Sequence, residues 1–173
     1  MDILEIVRRA AILAEAMICI AGTEDTDFFH EIPEDDEDRY DQNNLRLYAL
    51  RLPYVEAMEK AMKGCDVIQE AAGDYVRVLR AGITADLPGD DADDENSDDW
   101  EDLPSGTWKD LGYDGAHFTY EACVDLVAAR GFDDLPSDLF YKCHYNAAWI
   151  LEEVEAWWGR QSAHQRLEEN LAA

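Results

Sequence analysis

The chain has 173 residues, 47% of them hydrophobic and 10% aromatic, and sets 40 acidic side chains against 14 basic ones for a formal net charge of −26. That length and apolar content suit one folded domain with a sizeable core and exclude a wholly disordered chain. The charge excludes nucleic acid and anionic membrane as favourable direct partners.

The amino-terminal run MDILEIVRRAAILAEAMICIAG places Ile3, Ile6, Ala10, Leu13, Met17 and Ile20 at steps of three and four, which predicts an amphipathic helix with Gly22 as its C-terminal cap. Asp2, Glu5, Arg8, Arg9 and Glu15 interrupt the run, so it reads as neither signal peptide nor membrane span. No other stretch approaches 18 uncharged apolar residues, and the expected location is the cytoplasm. Residues 24–41 follow, with ten acidic residues and one Arg. A short helix is then expected in NNLRLYALRL, separated by Pro53 from a long helix over about 53–81. The seam of that long helix is Tyr54, Met58, Ala61, Cys65, Ile68, Ala72, Tyr75 and Leu79. Gly64 and Gly73 each weaken it by about 1 kcal/mol relative to Ala, which suggests close helix contacts at both.

A second acidic segment, residues 86–102, holds ten acidic residues and no base. Beyond it, Thr119 to Arg130 fits a short helix with Thr119 as N-cap and Gly131 just past its end. Pro136-Ser137-Asp138 signals the start of a last helix through Phe140, Cys143, Ala147, Ile150, Val154 and Trp157. No comparable window alternates with period two. The expectation is an all-α protein, a single domain over residues 1–173, in which four to five helices pack as a bundle and segments 24–41 and 86–102 connect them. Asp-Leu-Pro triplets at Asp86, Asp102 and Asp134 are turn and helix-entry chemistry, not an internal repeat.

Little of the remaining chemistry converges. Cys19, Cys65, Cys123 and Cys143 form no CxxC pair and lack His at zinc-ligand spacing, so they read as small hydrophobes with no metal or disulfide. His30, His117, His144 and His164 accompany no nucleophile elbow; neighbours such as Cys143 and His144 do not share a helix face. An EF-hand loop fails because, counting from Asp91, the sixth position is Asn96 and the twelfth Asp102. Trp149, Trp157 and Trp158 read as core or subunit-interface residues, and the second Trp of the adjacent pair, facing away from the first, suggests a homodimer seam.

The two acidic segments together carry −19 of the −26, while the other 138 residues hold 20 acids and 13 bases. Two carboxylates about 4 Å apart repel by roughly 1 kcal/mol even in water, which is far from negligible for a domain stable by about 5–15 kcal/mol. A solubility role needs a net charge of only about 2–8. Ten carboxylates over 17 residues stand about 5.8 Å apart in an extended chain and about 2.6 Å apart in a helix, against one charge per about 1.7 Å of duplex DNA axis.

In small size, extreme acidity, helical pattern and clusters such as EDTDFFHEIPEDDEDRYD and DDADDENSDDWED, the chain resembles the DNA-mimic proteins that phages and mobile elements direct against restriction enzymes and CRISPR complexes. The resemblance is one of character, not of an aligned motif. It implies an inhibitor that occupies the basic DNA-binding cleft of a host protein without touching DNA, and that needs neither cofactor nor catalytic residue. The residues it would place at that interface are Glu34, Asp35, Asp36, Glu37 and Asp38 in the first segment. From the second come Asp90, Asp91, Asp93, Asp94, Glu95, Asp98, Asp99 and Trp100. Phe28, Phe29, Tyr40 and Trp100 serve either as anchors on the partner or as ties to the core.

Two alternatives stand beside it. Ten Arg against four Lys, with Asp exceeding Glu, also describes a salt-adapted protein, although salt adaptation spreads acids over a whole surface rather than clustering them. The all-α nucleotide pyrophosphatases, which hold magnesium with carboxylates at helical spacing, are partly matched by Glu56 with Glu59, Glu70 with Asp74, and Glu152, Glu153 and Glu155. That family's second pair is spaced i, i+3, whereas Glu70 and Asp74 are i, i+4.

Overall fold

A computed structural model describes residues 1–25, 37–85, 104, 106–136, 139 and 147–173. Its elements are helix α1 (Ile3–Gly22), a 3-10 turn (Thr23–Asp25), and helices α2 (Glu37–Met62), α3 (Asp66–Ala85), α4 (Trp108–Ala129), α5 (Ala147–Arg160) and α6 (Ala163–Ala172). Among the described residues there is no strand, so the fold is all-α, with six helices where the periodicity predicts four to five.

α1 is the centre of the molecule. Its start is fixed by Asp2, whose carboxylate accepts from the Glu5 amide at 2.8 Å. The expected stripe from Ile3 to Ile20 is buried, but so is a second one of Val7, Ala11, Ala14 and Ile18, and Glu5, Arg8, Arg9 and Glu15 are only half-exposed. The physical reason is size. Ala10, Ala11, Ala14, Ala16 and Ala21 let neighbours approach on several sides, so α1 packs against α2, α4 and α5 at once.

The predicted break at Pro53 is not there. α2 runs through Pro53, whose ring faces solvent, and the chain turns at Gly64 instead. Gly64 has φ of +71°, a conformation suited to glycine, and the Cys65 amide donates to the Met62 carbonyl at 3.0 Å. The apolar repeat continues across this short turn, with Met58 and Ala61 buried before it and Cys65 and Ile68 after it, which is why periodicity alone reads one long helix. Gly73 marks no close contact, since nothing lies within 4 Å of where a Cβ would stand.

α4 begins eleven residues before the predicted N-cap. Thr107 caps it, in a reciprocal capping box with Asp110, while Thr119 is buried inside the helix and donates its hydroxyl to the Gly115 carbonyl at 2.7 Å. Gly112 and Gly115 obscured this helix because each disfavours helix by about 1 kcal/mol. They are what lets α4 touch α1: a Cβ on Gly112 would stand 2.4 Å from the Met17 carbonyl oxygen, and one on Gly115 2.6 Å from the Met17 sulfur. The predicted end is right, with Arg130 as C-cap and Gly131 following at φ +75°.

In α5, Ile150, Val154 and Trp157 are buried as expected; Phe140 and Cys143 lie outside the described residues. The Trp pair departs from expectation. Trp157 and Trp158 are both buried, and Phe132, from the segment after α4, packs 6.3 Å from the first ring and 5.3 Å from the second. Trp158 therefore offers no dimer seam. Cys65 and Cys123 are buried free thiols and Cys19 is a half-buried one; burial, with Cys65 nearby, pushes the Cys123 pKa to about 12. α6, which no seam announced, is capped by Ser162 and held by Glu169, whose carboxylate accepts from the Ile3 amide and from Arg130. No described helix is long and apolar enough to cross a membrane.

Candidate functional site

The register between helices decides where the acidic segments attach. Arg9 on α1 donates to the Lys63 carbonyl at the end of α2, and Arg51 on α2 donates to Thr23 just past the end of α1, so these two helices are antiparallel. Gly112 near the start of α4 lies against Met17 and Ala21 near the end of α1, which makes that pair antiparallel too. Gly82 near the end of α3 faces Trp108 at the start of α4, and Tyr75 faces Gly115. The end of α1, the end of α3, the start of α4 and the middle of α2 therefore share one end of the bundle. From Arg51 back to Glu37, α2 continues for about 21 Å at 1.5 Å per residue.

The second acidic segment leaves from this end and returns to it; the first leaves from it and rejoins the described structure on the stretch of α2 that runs beyond Arg51. The first begins at the 3-10 turn and finishes in α2; the second runs from Ala85 to the entry of α4. Their common anchor is Arg51, which is buried. Its Nε donates to the Thr23 hydroxyl at 2.8 Å and its guanidinium lies 4.1 Å from the centre of the Trp108 ring. One side chain thus joins α2, the turn after α1 and the first residue of α4. A buried Arg stacked on an indole is retained because the ring face attracts the cation and the hydroxyl satisfies a donor.

Carboxylates at this end also serve helix starts. Glu24 is exposed and accepts from the Lys109 amide at 2.5 Å, in the first turn of α4, where Asp110 completes the capping box. Glu37 and Asp38 stand exposed in the first turn of α2. Negative charge at a helix N-terminus is favourable by about 0.3–1 kcal/mol, so part of the local excess is offset by amides rather than by bases.

Of the residues predicted for the interface, Glu37 and Asp38 are thus placed, together and in solvent. Glu34, Asp35, Asp36, Asp90, Asp91, Asp93, Asp94, Glu95, Asp98, Asp99 and Trp100 lie outside the described residues, as do Phe28 and Phe29; Tyr40 falls in α2. Sequence reasoning missed Arg51 and Trp108. A signal for Arg51 existed, because Leu47, Arg51, Val55 and Met58 form one buried stripe at helical spacing.

The carboxylates of the magnesium alternative do not converge. Glu59 takes both Nε and an Nη of Arg80, at 2.6 and 2.7 Å, and this hydrogen bonding holds its pKa below the ordinary value. Asp74 pairs with Arg77 one turn along α3, and Glu155 pairs with Arg8. Among the described residues no group of three or more His, Cys, Asp or Glu side chains is arranged to hold a metal ion.

No protein-family model, no curated protein and no solved structure matches the chain.

Proposed function

We propose that the protein is an acidic DNA mimic, which occupies the basic DNA-binding cleft of a host nucleic-acid-handling protein such as a restriction or CRISPR complex. The observation that carries this reading is the shared attachment: of the four ends of the segments holding −19 of the net charge, three join one end of the bundle and the fourth lies in α2, on the stretch that runs out from that same end. Packed helix axes lie about 8–10 Å apart, so anchors on adjacent helices are spaced on the scale of the roughly 12 Å between phosphate rows across a major groove. A charge excess meant only for solubility has no reason to gather at one end.

The capping box of α4 and the Arg51 junction fix the start of α4 against the end of α1 and the middle of α2, where the acidic segments attach. Each exposed ion pair formed with the partner is worth only about 0–1 kcal/mol, so affinity comes from many of them acting together. The test is a pull-down from host lysate, followed by competition of the captured DNA-binding protein with duplex DNA at two salt concentrations. The expected result is mutual exclusion with DNA, weakened by salt. Changing Asp90, Asp91, Asp93, Asp94, Asp98 and Asp99 together to Asn should weaken the complex and leave helix content unchanged. A partner that binds this protein and DNA simultaneously, or holds the sextuple variant as tightly as the parent, overturns the proposal.

A further inference from the structure

The opposite end of the α1–α2 pair carries a different chemistry. Between the two helices lies a groove of about 550 Å³, floored by Ile12, Ala57 and Ala61 and rimmed by Arg9, Lys60, Lys63 and Glu5. Its volume falls within the roughly 300–1,000 Å³ of ordinary small-molecule sites. Two of the chain's four lysines stand at this one place in a protein of charge −26. Glu5 is occupied by Arg9, at 2.9 Å, and lies near Arg8. Lys60 and Lys63 are exposed, and neither ammonium makes an ion pair with a described residue. The rim therefore carries three cations against one carboxylate that is already paired.

The acidic end does not cancel this. Ile12 is thirteen residues from Asp25, about 20 Å along helix, which exceeds two screening lengths of about 8 Å at physiological salt. Apart from the paired Glu5, nearer acids do not line the groove: Glu15, Glu56 and Asp66 stand beside it in the chain but outside its lining, and Glu59 is held by Arg80.

From this we infer that the α1–α2 groove is a binding site for a small anionic amphiphile: a carboxylate or phosphate head set between Lys60 and Lys63, and a short aliphatic or aromatic body laid on Ile12, Ala57 and Ala61. The assignment is independent of the DNA-mimic reading. Lysine suits this head group because it is a rotatable point charge with three donors, and Arg9 is committed, donating to Glu5 and to the Lys63 carbonyl. The floor supplies the part that simple ions lack. Covering apolar area stabilises by about 25 cal/mol per Å², so an octyl chain should add affinity that inorganic phosphate cannot reach.

The experiment is calorimetric titration of the full chain with octanoate, octyl phosphate, octanol and inorganic phosphate, below any micellar concentration. Saturable binding of octanoate or octyl phosphate, at least tenfold tighter than octanol or phosphate, is the expected result; whichever of the two binds more tightly identifies the head group. Changing Lys60 and Lys63 together to Gln should weaken that binding at least fivefold. Ala57→Leu, which fills the floor from a half-buried position, should weaken it by a similar factor with the lysines intact. Circular dichroism of each variant confirms that it is folded. Octanoate and octyl phosphate failing to saturate, or binding equally to the parent and to both folded variants, overturns the site.

Discussion

The two ends of α1 handle charge in opposite ways. At its N-terminal end, acids are held by bases: Glu155 by Arg8, Glu5 by Arg9, and Glu169 by Arg130 and the Ile3 amide. At its C-terminal end, segments with twenty acids and a single Arg attach around one buried cation, Arg51. The contrast teaches that a bundle can bear a large charge excess when the segments that carry it are joined at helix ends. Among the described residues the buried charged side chains are Glu169 and Arg51, which lie at opposite ends of α1, and the buried stripe of α1 between them is uncharged. Such an arrangement separates what holds the protein together from what it presents.

If that separation is right, the largest effects should come from the junction and the seam. Arg51→Met should cost on the order of 3 kcal/mol, because it removes a charged donor from Thr23 and a desolvated cation from the Trp108 ring. Chemical denaturation measures this, and a loss below 1 kcal/mol would mean that the acidic end is held by something other than Arg51. Gly112→Ala should cost about 1–3 kcal/mol by overpacking, since the added methyl meets the Met17 carbonyl and the Ala21 side chain, whose backbone must move. The same denaturation series decides it; an unchanged midpoint would show that α1 and α4 are loosely apposed.

Smaller effects sharpen the picture through pH. Burial raises the Glu15 pKa above its ordinary 4.5, whereas Arg80 lowers that of Glu59. The stability that Glu15 contributes is therefore full below 4.5 and lost as pH rises through its higher folded value. That of Glu59 is present above 4.5 and lost as pH falls through its lower folded value. Glu15→Gln should raise the melting temperature at pH 7 and leave it unchanged at pH 3. Glu59→Gln should lower it slightly at pH 7, by an amount reduced by solvent screening of this part-exposed pair. Melting curves between pH 3 and 7 that showed the opposite signs would reverse the two assignments. Smallest of all, Glu37→Gln with Asp38→Asn should change stability by no more than about 0.5 kcal/mol, because the lost attraction to the α2 N-terminus is offset by relief of repulsion between these adjacent exposed acids. A larger loss would show that the acidic end is part of the fold's support.

The sequence by itself determined the helical class, the seams and the position of the charge. Periodicities of three and four locate Ile3 to Ile20, Met58 to Leu79 and Ile150 to Trp157 on buried faces, because a helix must cover its apolar stripe. Composition alone places the acids at 24–41 and 86–102. What it could not determine were choices made by neighbours. Whether the chain breaks at Pro53 or Gly64 depends on whether a proline ring can point to solvent. Whether GTWKDLGYDGAHFTY is loop or helix depends on α1 offering a surface that only glycine can approach. Trp158 is core rather than interface because Phe132 returns to cover it. That three of the four ends of the acidic segments lie at one end of the bundle follows from the antiparallel order of α1 to α4, a property of packing between residues far apart in the chain, which no local pattern encodes.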